Sequence, residues 1–219
     1  MTEIKVCGIT RLEDALCAVD CGAGALGFIF HPQSPRYLPP AKARTIIAAL
    51  PRGVATVGVF VNESPGQVAR IAGEAGIDLI QLHGDESPAY CRAFPPERLI
   101  KAVAPNGEAD LKALADYAVR AFLIDARSEE RYGGTGRCAD WDLAARIARS
   151  RPLILAGGLK EDNIDTALSV VAPSAVDLNS GVEQAPGIKD HDRLRKLIAR
   201  IRRTAPSGGS VIFGKGAGE

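Results

Sequence analysis

Short apolar runs alternate with helix-like segments along most of this 219-residue chain. Between the runs, apolar residues recur at helical spacing, as Leu194, Leu197 and Ile198 do. Such alternation is typical of a parallel sheet, because parallel neighbours need a crossover that is usually a helix. Eight of the apolar runs are predicted to be strands: Ile4–Cys7, Ala25–Phe30, Ala55–Val61, Leu79–Leu82, Leu99–Val103, Ala121–Asp125, Leu153–Ala156 and Ala175–Leu178.

Eight strand–helix units predict an α/β fold, a single-domain (β/α)8 barrel over residues 1–204. An open doubly wound sheet is the structural alternative. Residues 205–219 are rich in glycine and serine, which predicts a flexible carboxyl-terminal tail. One apolar triplet in it, Val211-Ile212-Phe213, could dock loosely.

Several helix starts can be predicted from their capping residues. Thr10-Arg11-Leu12-Glu13 and Ser64-Pro65-Gly66-Gln67 have the spacing of capping boxes. Ser87-Pro88 repeats the pattern of a capping residue followed by proline. Asp140 is the predicted cap of a helix over Trp141–Ala148.

Composition favours a small-molecule partner. The 27 basic and 26 acidic side chains balance, and no basic stripe or basic amphipathic helix predicts a nucleic acid or a membrane as partner. Five irregularly spaced cysteines do not suggest a disulfide framework, which favours a reducing cytoplasm. We also expect no signal peptide and no membrane-spanning segment.

Two nucleotide-binding motifs are matched only in part. Gly22 to Gly27 fits the dinucleotide fingerprint by letter, but it closes a helix and opens a strand, whereas the fingerprint requires the reverse order. Gly209 to Lys215 resembles a P-loop, yet Gly216 replaces the hydroxyl residue that would meet magnesium. His83-Gly84-Asp85-Glu86 could be read as a metal site, but a plain loop is favoured because no second histidine is near in the sequence.

Two predicted strands end in groups able to move protons. Cys7 ends the first strand, where a thiol could act as a base or be an inert core residue. Asp125 ends the sixth, where the carboxyl could tie down the following loop or act as a general acid among apolar walls. In barrel enzymes the carboxyl ends of the strands carry the chemistry.

Anion-binding groups are predicted at the same end. Gly157-Gly158 and Ser180-Gly181 follow strands seven and eight, where barrels often hold a phosphate, although two tight turns would need the same glycines. Arg36 lies in a loop stiffened by two prolines. Its guanidinium could bind a ligand carboxylate or form an ordinary surface ion pair.

Motifs spread over residues 5–183 resemble the phosphoribosylanthranilate isomerase family of tryptophan biosynthesis. They stand in the family's order: Lys5-Val6-Cys7-Gly8-Ile9-Thr10, Gly27-Phe28-Ile29-Phe30, Ser34-Pro35-Arg36-Tyr37, Gln81-Leu82-His83-Gly84, Leu123-Ile124-Asp125, Gly133-Gly134-Thr135-Gly136, Ala156-Gly157-Gly158-Leu159 and Asp177-Leu178-Asn179-Ser180-Gly181-Val182-Glu183.

The resemblance implies a (β/α)8 isomerase that needs no cofactor and no metal, and that acts on a phosphosugar in the cytoplasm as a monomer or homodimer. Cys7 would be the general base, and Asp125 the general acid, of an Amadori rearrangement. Arg36 would face the anthranilate carboxylate, and the loops at Gly157-Gly158 and Ser180-Gly181 would hold the phosphate. His83 and Asp177 would belong to the substrate pocket. Asn179 departs from the small hydroxyl residue frequent in the family.

Other phosphosugar barrels remain alternatives. A pentose-phosphate epimerase would need a metal, and the chain has only three histidines. The synthase that follows in the same pathway would need a lysine acid, for which Lys101 is the candidate. A phosphate-ligand sensor would need the glycine loops but neither Cys7 nor Asp125.

Overall fold

Eight parallel strands close into a barrel in the computed structural model, which describes residues 1–125, 141–204 and 211–214. Each strand pairs with the next along the chain, and the last pairs with the first. The predicted (β/α)8 barrel is confirmed. The strands are β1 Glu3–Val6, β2 Ala25–Ile29, β3 Ala55–Phe60, β4 Leu79–Leu82, β5 Leu99–Val103, β6 Ala121–Asp125, β7 Leu153–Ala156 and β8 Ala175–Leu178.

Helices follow these strands on the outside of the barrel. Short 3₁₀ helices occur at Pro96–Arg98, Leu114–Asp116 and Ser180–Val182. Beyond β8, the short strands β9 Glu183–Ala185 and β10 Ile188–Lys189 pair antiparallel. The α-helices are α1 Leu12–Cys21, α2 Pro40–Ala48, α3 Pro65–Ala75, α4 Pro88–Cys91, α5 Glu108–Ala113, α6 Trp141–Ala148, α7 Ile164–Val171 and α8 His191–Thr204.

The predicted helix starts are partly confirmed. Ser64 caps α3 by accepting from Gln67 N, and Ser87 caps α4 in the same way. The Thr10 capping box is wrong: α1 begins one residue later, after Arg11, with no side-chain cap. The Thr10 hydroxyl instead donates to the Gly187 carbonyl, in the turn between β9 and β10. Asp140 lies outside the described residues.

The end of α1 explains why the dinucleotide fingerprint was a false match. Gly22 ends this helix in the left-handed conformation (φ 103°), which glycine adopts without steric cost. Strand β2 then begins at Ala25. The glycines therefore connect a helix to a strand, and no helix N-terminus is available there to meet a pyrophosphate.

Two apolar layers form the core. The outer layer packs the helices against the barrel and includes Phe28, Phe122 and Leu197. The inner layer lies within the barrel and combines alanines near the strand starts, such as Ala25, Ala55 and Ala121, with larger residues such as Ile100 and Leu123. Because side chains alternate along a strand, the same inward rows that begin with these alanines continue to the carboxyl-terminal end of the barrel.

Four residues of the tail cover the opposite, amino-terminal end. Ile212 and Phe213 are buried in the inner layer. The backbone N–H of Phe213 donates to the Glu3 carboxylate (3.1 Å), and Arg120, just before β6, donates to the Gly214 carbonyl (2.9 Å). Of the apolar triplet, Ile212 and Phe213 thus dock against the interior of the barrel, the alternative to a flexible tail that the sequence left open, while Val211 is exposed.

Replacing Phe213 with alanine should lower the free energy of unfolding by about 2 kcal/mol, below the roughly 3–5 kcal/mol typical of a core phenylalanine, because the segment can detach. Chemical denaturation measures this change. Val211→Ala is the matched control, since Val211 is 70% exposed and should contribute almost nothing. Equal stability of the two variants would show that the docked segment does not stabilise the barrel.

No helix in the described ranges is both long and apolar enough to cross a membrane.

Candidate active site

A buried ion pair lies inside the barrel below its carboxyl-terminal end. Lys5 of β1 and Asp177 of β8 are directly paired in register, and Lys5 Nζ donates to Asp177 Oδ2 at 2.7 Å. The Lys5 side chain has no solvent exposure. Burial by itself lowers the pKa of Lys5, but Asp177 and Cys7 outweigh it, so the net pKa is raised and Lys5 stays an ammonium. A fixed positive charge thus lies at the base of the site.

Cys7 follows β1 and lies above Lys5 on the same inward row. A Cβ on Gly27 of β2 would come within 2.7 Å of Cys7 Sγ, which shows how closely the thiol packs against the neighbouring strand. Burial raises the pKa of the Cys7 thiol, and Lys5 is the strongest opposing influence. The thiol therefore belongs to a charged interior row and not to the apolar layer beneath the helices, where an inert core cysteine would lie.

Asp125 and His83 face each other across the same end. His83 Nε2 lies 3.9 Å from Asp125 Oδ2, and the side chains are 33% and 41% exposed, so a ligand can reach both. Burial lowers the pKa of His83, which favours the neutral imidazole. Gln81 Nε2 lies 2.9 Å from His83 Nδ1, so the Gln81 amide holds the imidazole with its Nε2 toward Asp125. His83 is thus a polar neighbour of Asp125, whereas one of the two interpretations from the sequence placed this carboxyl among apolar walls.

Arg36 is anchored by a carboxylate of its own chain. Its Nε and Nη2 both donate to Glu183, with Nη2 to Oε2 at 2.6 Å, and the Glu183 side chain is only 4% exposed. This bidentate hydrogen bond raises the pKa of Arg36 further. The pair is therefore mostly buried, unlike the surface ion pair considered as an alternative.

The two glycine loops lie against each other. Gly157 and Gly158 both have positive φ (90° and 64°), as the turn after β7 requires. A Cβ on Gly181 would come within 2.0 Å of the Leu159 carbonyl oxygen, so glycine is required there for the contact between the loops. Ser180 and Gly181 begin the 3₁₀ helix after β8. The close packing means that backbone groups of both loops converge at one place.

The structure thus brings all the predicted site residues to one end of the barrel: Cys7, Arg36, His83, Asp125, Gly157, Gly158, Asp177, Ser180 and Gly181. Sequence reasoning assigned no role to Gln81, Glu183 or Lys189. Gln81 could have been found, because it lies two residues before His83 and hence on the same face of β4. Glu183 binds Arg36 from 147 residues away, which no local pattern indicates, whereas its contact with Lys189 lies within one short hairpin.

Lys101 does not present a free amine to the site. Its Nζ forms an ion pair with buried Glu86 (3.0 Å) and donates to the carbonyls of Gly84 and Ala102, both at 2.8 Å. The side chain is 3% exposed. These contacts disfavour the synthase alternative, which needs a lysine able to reach substrate. Among residues 1–125, 141–204 and 211–214, no three His, Cys, Asp or Glu side chains cluster as metal ligands.

A closed (β/α)8 barrel with proton-transfer groups gathered at the carboxyl ends of its strands defines a TIM-barrel enzyme. The sequence model of the family described as "N-(5'phosphoribosyl)anthranilate (PRA) isomerase" matches residues 4–200. The chain belongs to this family and is an isomerase of tryptophan biosynthesis.

Individual relatives agree with the family match. The chain is 58% identical over 203 residues to an N-(5'-phosphoribosyl)anthranilate isomerase of Syntrophus aciditrophicus, covering 93% of this chain and 88% of the relative. It is 43% identical to a solved isomerase of Thermotoga maritima, with a TM-score of 0.83 and coverage of 93% and 100%. Another solved isomerase, in complex with reduced 1-(o-carboxyphenylamino)-1-deoxyribulose 5-phosphate, is 42% identical, with a TM-score of 0.81 and the same coverage.

Proposed function

We propose that Cys7 and Asp125 catalyse the isomerisation as base and acid. The substrate is N-(5'-phosphoribosyl)anthranilate, and the product is 1-(2-carboxyphenylamino)-1-deoxyribulose 5-phosphate. The observation that carries this assignment is the placement of both groups on inward rows at the same end of one barrel. The relative that binds a reduced form of the product supports the assignment of the ligand.

Asp125 opens the sugar ring. Its carboxyl donates a proton to the ribose ring oxygen while the C1'–oxygen bond breaks. The lone pair of the anilino nitrogen forms the C=N bond, which gives a protonated Schiff base. His83, whose Nε2 faces the carboxyl, helps to fix the orientation of Asp125.

Cys7 then completes the rearrangement. Its thiolate removes the proton from C2', and the electron pair of that bond forms a C1'=C2' double bond as the Schiff-base nitrogen regains its lone pair. The resulting enolamine tautomerises to the ketone: the C2' hydroxyl loses its proton as the C=O bond forms, and the C1'=C2' electron pair takes up a proton at C1'. Because burial raises the pKa of Cys7, the reactive thiolate depends on the cations around it.

Two anion sites hold the substrate between these groups. The loops at Gly157-Gly158 and Ser180-Gly181 bind the phosphate through backbone N–H groups. Arg36 binds the anthranilate carboxylate through the Nη1 edge of its guanidinium, because Glu183 occupies the edge formed by Nε and Nη2. Asp177 borders the sugar; its Oδ1 is buried without a hydrogen-bond partner in the structure, which suits it to accept from a sugar hydroxyl.

The proposal also covers the setting of the reaction. The chain works in the cytoplasm as a monomer or a homodimer, without a nucleic-acid or membrane partner. Its nearly equal numbers of basic and acidic side chains support the absence of a nucleic-acid partner.

Turnover of the substrate itself tests this function. Purified protein mixed with freshly generated N-(5'-phosphoribosyl)anthranilate should accelerate the loss of substrate fluorescence. Mass spectrometry should find a product of unchanged mass, since isomerisation conserves every atom, whereas hydrolysis would release anthranilate. Binding without accelerated loss of fluorescence would support the sensor alternative and overturn the proposal.

A further inference from the structure

Lys189 is a completely buried lysine whose two ends are both fixed. Its side chain has no solvent exposure, and its Nζ donates to Glu183 Oε1 at 2.9 Å and to Asn179 Oδ1 at 3.1 Å. Its backbone N–H donates to Asp14, a buried carboxylate of α1, at 3.1 Å. Burying an ammonium costs several kcal/mol unless it is well compensated. A buried ammonium that is held this tightly is expected to have a function.

Its position follows from the register between β1 and β8. Val6 pairs with Leu178, and the Cys7 N–H donates to the Leu178 carbonyl at 2.8 Å. The next residues of the two strands, Cys7 and Asn179, are therefore neighbours at the carboxyl-terminal end. Lys189 binds the Asn179 side chain, so its ammonium lies on the Cys7 side of the barrel.

The charges around Cys7 do not balance without a thiolate. Lys5 and Asp177 form a neutral pair, whereas Arg36 and Lys189 share the single carboxylate of Glu183. Asp14, which accepts from the Lys189 backbone, is paired with Arg11 at 2.8 Å. With this pair included, four cations and three carboxylates among the described residues border the thiol or bind the groups that do. The excess positive charge equals the charge that one thiolate would neutralise.

The interactions of the thiol point the same way. Burial raises the pKa of Cys7 and Asp177 adds to the rise, while Lys5 and Lys189 oppose both. Burial lowers the pKa of Lys189 overall, although Glu183 and Cys7 act to raise it. The charged forms of Cys7 and Lys189 therefore stabilise each other. Glu183 is the main cause of the raised pKa of Arg36, and Cys7 also contributes to it.

We propose that Lys189 is a positioning residue whose buried ammonium, held by Glu183 and Asn179, stabilises the thiolate of Cys7. This proposal rests on the proposed function, in which Cys7 removes the C2' proton. Glu183 has two tasks in this arrangement, because it orients Arg36 toward the substrate carboxylate and holds Lys189 beside the base. Because Arg36 and Lys189 share the Glu183 carboxylate, binding of the substrate carboxylate is linked to stabilisation of the Cys7 thiolate.

The variant Lys189→Met tests the proposal by titration of the thiol. Methionine fills a similar volume without charge, and Glu183 remains paired with Arg36, so no buried carboxylate is left unpaired. The rate of iodoacetamide alkylation of Cys7 is followed against pH by mass spectrometry of the Cys7 peptide. The apparent pKa of Cys7 should rise by about one unit or more, the effect expected when a nearby opposite charge is lost. The rate of alkylation near neutral pH should fall about tenfold. The pH profile of kcat/KM should shift to higher pH together with the apparent pKa of Cys7.

Two further variants keep the result decisive. Lys101→Met removes another buried lysine, also paired with a buried glutamate, and should leave the titration of Cys7 unchanged. Lys189→Gln keeps a hydrogen-bond donor toward Glu183 but carries no charge, so it should also raise the apparent pKa of Cys7. It replaces Lys189→Met in the test if that variant does not fold. If the apparent pKa of Cys7 in the Lys189 variants equals that of the wild type, the proposal is wrong, even if turnover is slow. Since alkylation needs no catalysis, it also separates this outcome from a failure of Cys7 as the base.

Discussion

Replacing Cys7 with serine should reduce kcat by about 10³-fold, within the range for loss of a general base. A serine hydroxyl ionises far less readily than a thiol, so almost no alkoxide would be present at neutral pH to remove the C2' proton. The fold should survive, because serine has nearly the shape of cysteine. Turnover measured by substrate fluorescence, together with thermal unfolding, separates catalysis from stability.

A second cysteine provides the control. Cys21 is the last residue of α1, on the outside of the barrel, and does not lie on an inward row of the strands. Cys21→Ser should therefore keep wild-type kcat. If Cys7→Ser also turned over at a near-normal rate, the thiol would be structural and another group would have to be the base.

Asparagine at position 125 should lower kcat by about 10²- to 10⁴-fold with a smaller change in KM. The amide nearly preserves the shape of the carboxyl, but it cannot donate the proton that opens the ribose ring. An interaction required mainly in the transition state has this kinetic signature. Steady-state kinetics at several substrate concentrations give both constants.

Asp116→Asn is the matched control for this change. Asp116 is exposed in the 3₁₀ helix that follows α5, on the outer surface, and its loss should affect neither constant. An effect of Asp125→Asn confined to KM would instead assign the carboxylate to substrate binding. The acid would then have to be sought elsewhere.

The architecture was predictable because barrel strands are buried on both faces. Such strands form nearly continuous apolar runs, and the predicted bounds of the runs from Leu79 to Leu178 coincide with those observed. The first three strands differ by one residue at their ends. Thr10 shows the limit of local patterns: its hydroxyl could have capped α1, but it donates to Gly187, which lies far away in sequence.

The site residues were predictable only where the position of a residue along a strand determines where its side chain points. Cys7 and Asp125 end strands, so the barrel alone places them together. The pairing of Arg36 with Glu183 depends on long-range packing, since the two residues are 147 positions apart. Lys189 is close to Glu183 in sequence and pairs with it across the β9–β10 hairpin, but their charges alone suggest only ordinary surface residues.

The docked tail also has a topological consequence. Glu3, at the start of β1, accepts a hydrogen bond from the backbone of Phe213, so the two ends of the described chain meet below the barrel. A peptide link of a few residues between them would convert the chain into a ring without moving a strand. Circular permutants with new ends in the exposed turn at Gly53, where no other atom lies within 4 Å of an added Cβ, would keep the ring of strands complete. The unit at which the chain starts is thus independent of the cyclic order of the eight units around the barrel.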